Sequence, residues 1–84
     1  MNRKLFVGGL PWATTDEGLL KAFEEFGEVE EANVVCERDT GRSRGFGFVT
    51  FVSPEDAQTA QEAMHEQEIE GREVRVDFAH TKPR

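Results

Sequence analysis

Arg44-Gly45-Phe46-Gly47-Phe48-Val49-Thr50-Phe51 is the stretch on which the reading of this chain turns. It reads as a strand, in which successive side chains point to opposite faces. If Val49 and Phe51 point into a core, then Gly45 and Gly47 do too, and Arg44, Phe46 and Phe48 share the outward face. Two phenylalanines on an outward face need a reason, and the neighbouring segments supply one.

Upstream, Leu5-Phe6-Val7-Gly8-Gly9-Leu10 is too short for a helix and closes on glycines and Pro11, so it reads as a strand running into a loop. Thr14-Thr15-Asp16-Glu17 matches a capping box with Thr14 as N-cap and Glu17 at N3. Leu19, Leu20, Phe23 and Phe26 then follow at helical spacing, and Gly27 stands where a left-handed residue stops a helix. Val29 to Glu37 reads as a second strand, joined by the polar turn Arg38-Asp39-Thr40-Gly41 to the strand that opened the analysis.

Downstream, Ser53 and Pro54 supply an N-cap and an N1 proline for a second helix, whose apolar face is Ala57, Ala60, Ala63 and Met64. Gly71 interrupts the polar connection, and Val74, Val76 and Phe78 alternate with Arg75 and Asp77 in a last strand. The order β, α, β, β, α, β predicts an α+β fold, the ferredoxin-like βαββαβ sandwich, with two helices on one face of a four-stranded antiparallel sheet. Residues 1–80 form the domain, and 81–84 read as a C-terminal tail or the start of a linker.

The first and third strands are the central pair in this topology, so Phe6, Phe46 and Phe48 lie together on the face no helix covers. A monomer rarely leaves such an apolar patch exposed without a use for it. Aromatic rings offer π faces, and stacking a base on one contributes about 1 to 3 kcal/mol. The alternative is burial of the rings under a further element or a partner chain.

Residues 44–51 match the RNP1 octamer of the RNA recognition motif at every defined position, and Leu5 to Leu10 resembles its RNP2 hexamer. Across nearly its whole length the chain is similar to the single-motif glycine-rich and cold-inducible RNA-binding proteins. That resemblance implies that Phe6 and Phe48 each stack a base, that Phe46 packs on the sugars between them, and that Arg44 pairs with a backbone phosphate. It implies single-stranded RNA of a few nucleotides as the partner, in post-transcriptional regulation or as an RNA chaperone. The chain departs from its relatives at Met64-His65-Glu66-Gln67-Glu68, where they usually carry an Asn-Gly turn.

Around the three rings the expected contacts are Lys4, Arg42, Arg75, Asp77, His80 and Lys82, with Asn33 and Val35 on the same face if Val34 is buried. Trp12 either extends the stacking surface or folds onto the core edge. A formal net charge of −7 over 84 residues argues at first sight against a polyanionic partner. Nine of the 17 acidic residues lie on or beside the two helices, however, whose one basic residue is Lys21, while the other basic ones fall in strands, hairpin loop and tail. With a Debye length of about 8 Å at physiological salt, charges on the far face are largely screened. The expectation is a positive platform side, a shallow salt dependence, and micromolar affinity, about −8 kcal/mol.

No serine, histidine or carboxylate constellation suggests catalysis, so the chain is read as a binding module rather than an enzyme, without cofactor or metal. Its single cysteine, Cys36, precludes an internal disulfide. No apolar run approaches the roughly 20 residues of a membrane span. The chain is expected to be a monomer inside the cell, in cytoplasm or nucleus or in a bacterial cytoplasm, with no membrane partner. Two rival readings remain: a protein-interaction module whose acidic helices receive a basic or aromatic peptide, and single-stranded DNA binding, since stacking needs no 2′-hydroxyl.

Overall fold

The computed structural model describes residues 3–11, 13–37, 39–41, 43–69 and 71–79, with the backbone alone for Ser43 and Arg44. Four strands, β1 (Lys4–Gly8), β2 (Val29–Cys36), β3 (Ser43–Phe51) and β6 (Arg75–Phe78), form one antiparallel sheet in the order β2-β3-β1-β6. Helices α1 (Asp16–Phe23) and α2 (Pro54–Met64) pack on the same face of it. This is the expected sandwich, with β1 and β3 at its centre.

Alternation along each strand sends Leu5, Val7, Val49, Phe51 and Val76 inward, where Leu19, Phe23, Ala57 and Ala60 meet them; all are fully buried. Phe23 and Phe51 pack edge to face with centroids 6.5 Å apart. The strand β3 comes very close to its neighbours at Gly47. A Cβ there would overlap the Asn33 carbonyl oxygen and lie 3.1 Å from both Leu19 Cδ2 and Val34 Cα. The absent side chain lets β2, β3 and α1 close on one another. Gly45, at φ +85, is a backbone kink that carries its carbonyl to the Leu10 amide at 2.8 Å. That bond draws the loop after β1 onto β3 and buries Leu10.

Several local expectations are corrected. The N-cap of α1 is Thr15, whose hydroxyl accepts from the Gly18 amide at 3.1 Å, and Thr14 is buried instead. Adjacent threonines offer the same capping chemistry, and packing of the first against the core decides between them. The helix ends at Phe23 and tightens into a 3-10 turn over Glu24–Phe26. Gly27 follows at φ 154, outside the left-handed helical well. Ser53 caps α2 with Pro54 at its start as expected, but Ala63 is exposed. At 3.6 residues per turn it lies about 120° around the helix from Ala57.

The connection from α2 carries two further strands, β4 (Glu68–Ile69) and β5 (Arg72–Glu73), paired as a small hairpin that buries Ile69. Val74, expected within the last strand, lies before it, and its backbone bonds to Glu66 and Gln67 at 2.9 and 2.8 Å. Side chains then meet both outer strands of the sheet. On β6 the Val76 carbonyl accepts from Gln61 Nε2 at 2.9 Å, and the Val76 amide donates to His65 Nδ1 at 3.3 Å. On β2 the Val34 amide donates to Asp16 Oδ1 at 2.7 Å.

Candidate nucleic-acid interface

On the helix-free face the strand registers set side chains in rows. Phe6 stands opposite Phe48 on one side and Asp77 on the other, and Asn33 stands opposite Phe48. One row along are Phe46, Gly8 and Arg75; in the other direction are Glu31, Thr50 and Lys4. The rings of Phe6 and Phe46 lie 5.5 Å apart at 34°, Phe6 and Phe48 5.7 Å apart at 64°, and Phe46 and Phe48 6.3 Å apart at 88°. All three are half-buried. They form a triangle of aromatic faces at different tilts, in which Phe48 meets the other two rings edge to face and Phe6 and Phe46 are tilted on each other, each pair contributing about 0.5 to 1.5 kcal/mol.

Gly8 makes room for the Phe6 ring, which leans over it: a Cβ on Gly8 would stand 3.0 Å from Phe6 Cε2. Lys4 Nζ sits 4.7 Å from the centroid of the Phe48 ring, a cation–π contact that fixes a positive charge at the edge of the aromatic surface.

The structure thus brings Phe6, Phe46, Phe48, Lys4, Asn33, Arg75 and Asp77 onto one face. Val35 is half-buried where the pairing of β2 with β3 is irregular between Val34 and Cys36, so the register does not assign it a side. Trp12, Arg42, His80, Lys82 and the Arg44 side chain lie outside the described residues. Glu31 and Thr50 share the face, although the sequence reading did not name them; their parity with Asn33 and Phe48 was the available signal. The positive platform side expected from the sequence rests also on Arg42, Arg44 and Lys82, whose side chains lie outside the described residues. The described basic residues of the face, Lys4 and Arg75, are matched by Glu31 and Asp77, so this part of the platform is balanced rather than positive.

The family model of the RNA recognition motif matches residues 5–75. The chain belongs to that family. Glycine-rich RNA-binding protein 4, mitochondrial, of Arabidopsis thaliana is 53% identical over 79 residues, covering 94% of this chain and 58% of the relative. Glycine-rich RNA-binding protein 1 of Mycosarcoma maydis is 47% identical over 83 residues, covering 99% and 47%. The chain therefore spans about half the length of the curated relatives it matches. Among solved structures, the RNA-binding protein PG1 superposes with a TM-score of 0.90 at 38% identity, covering 98% of this chain and 99% of that one. The SXL-lethal protein/RNA complex superposes at 0.91 with 28% identity, covering 99% and 50%. Within this RNA recognition motif, the aromatic triad falls on the RNP1 and RNP2 strands, β3 and β1.

Proposed function

We propose that this chain binds short single-stranded RNA on the open face of its sheet, as a monomeric, non-catalytic module spanning residues 1–80. The aromatic triangle of Phe6, Phe46 and Phe48 carries this reading, because it is the feature of the fold that has no structural task in the core. Phe6 and Phe48 each take one base by stacking, and Phe46 packs against the intervening sugars. Arg44, Arg42 and Lys82 supply phosphate contacts, and Lys4 adds a charge beside Phe48. Single-stranded DNA is a second ligand the same surface would take, since stacking needs no 2′-hydroxyl. Relatives named as RNA-binding, and a neighbour solved with RNA, support the reading. Its proposed setting is post-transcriptional regulation inside the cell. Among the described residues no helix is long and apolar enough to cross a membrane.

An amide NMR titration with mixed-sequence single-stranded RNA, at two salt concentrations, tests the proposal. Shifts centred on β1 and β3, abolished in a folded Phe6→Ala/Phe48→Ala variant and only mildly weakened by salt, are the expected outcome. Shifts confined to α1 and α2, or none at all, would refute it in favour of a peptide partner.

A further inference from the structure

The platform has a direction. A base stacked on Phe6 extends its polar edge either toward β3 or toward β6. Toward β3 it meets the rings of Phe46 and Phe48, at 5.5 and 5.7 Å from Phe6, which offer no hydrogen bonds. Toward β6 it meets Asp77, directly opposite Phe6, and Arg75, opposite the Gly8 over which the Phe6 ring leans. Neighbouring strands are about 4.8 Å apart, so a base centred over Phe6 reaches β6 with its edge. Asp77 and Arg75 are exposed, and among the described residues the Asp77 carboxylate has no hydrogen-bond or salt-bridge partner. It is a pair of acceptors left open beside a stacking ring.

Resting on the proposed RNA binding, we infer that Asp77 makes the Phe6 position selective for guanine. Guanine alone presents two adjacent donors on its Watson–Crick edge, the N1–H and the exocyclic N2 amine, and these match the two oxygens of a carboxylate. Uracil offers one N–H between two carbonyls. Adenine and cytosine each place a ring-nitrogen lone pair beside their amine, against which the second carboxylate oxygen is repelled. The third group on the guanine edge is the O6 acceptor, and Arg75, two residues along the same strand face, presents donors on that side. The order of charges along β6 therefore mirrors the order of acceptor and donors along guanine.

The test uses the full chain and a set of fluorescently labelled pentaribonucleotides, uridine throughout except for a central guanine, adenine, cytosine, uracil or hypoxanthine, titrated by anisotropy. Guanine is expected to bind at least about fivefold tighter than uracil, the lower end for a bidentate base contact. Hypoxanthine, which lacks the N2 amine, should fall between them. Asp77→Ala, at an exposed position, should leave the fold unchanged by circular dichroism and bring the affinity for the guanine oligomer down to that for the uridine oligomer. Equal affinity for the four bases, or a guanine preference that survives Asp77→Ala, overturns the inference while leaving RNA binding intact. Binding that is insensitive to Phe6→Ala, or undetectable for every oligomer, overturns the platform reading and this inference with it.

Discussion

Replacing Gly47 with alanine tests how the platform is built. In an open strand position the change stabilises, because glycine in a strand interior costs roughly 0.5 to 1 kcal/mol relative to alanine through the entropy of the unfolded chain. At Gly47 the added Cβ overlaps the Asn33 carbonyl oxygen and crowds Leu19 Cδ2 and Val34 Cα, both at 3.1 Å. Two of these three neighbours are backbone, so relief requires β2 to move away from β3. Overpacking of this kind costs about 1 to 3 kcal/mol. Since 1 kcal/mol shifts the midpoint of a domain this size by roughly 4 to 8 °C, Gly47→Ala should lower Tm by about 5 to 20 °C. Urea unfolding followed by circular dichroism gives the same quantity isothermally. Combining it with Leu19→Ala should not rescue it, because the Asn33 carbonyl remains in place. A Gly47→Ala protein as stable as the parent, or more so, would refute the steric account of this glycine.

Other perturbations separate neighbouring explanations. Thr15→Ala removes the hydroxyl that accepts from Gly18 and should cost about 1 kcal/mol in urea unfolding. Gln61→Ala frees the Val76 carbonyl, with an expected loss of about 0.5 to 1.5 kcal/mol and faster hydrogen exchange along β6, measurable by NMR. Arg3→Ala breaks an exposed ion pair with Glu30 at 3.2 Å, and its effect on stability should stay below about 1 kcal/mol and shrink further in added salt.

The open face was legible because a period of two over nine residues of β3 leaves a single consistent assignment once Val49 and Phe51 are placed inside. The same logic carried to β1, where Phe6 follows from Leu5 and Val7. The β4–β5 hairpin was not legible, because two-residue strands have no period, and the sequence around Gly71 shows turn chemistry without showing what pairs. Ala63 was misplaced for a different reason: alanine is compatible with either side of a helix, so its identity cannot correct a stripe drawn too wide. Glu31 escaped a segment-by-segment reading because it belongs to a strand yet faces the same way as Lys4, Arg75 and Asp77. Only cross-strand register exposes that.

The bonds from Gln61, His65 and Asp16 to the two outer strands reach past helix packing. An unoccupied strand edge is a template on which any extended chain can add itself. Here the Val76 amide and carbonyl, and the Val34 amide, already have side-chain partners from the same molecule. Lengthening the sheet from outside would first have to displace them. An incoming polymer is thus turned from the rims toward the broad surface, where it must be met by rings and charges rather than by main chain. Two copies of the domain brought side by side on one strand of RNA would likewise meet these side-chain bonds at Val34 and Val76 before their edges paired there.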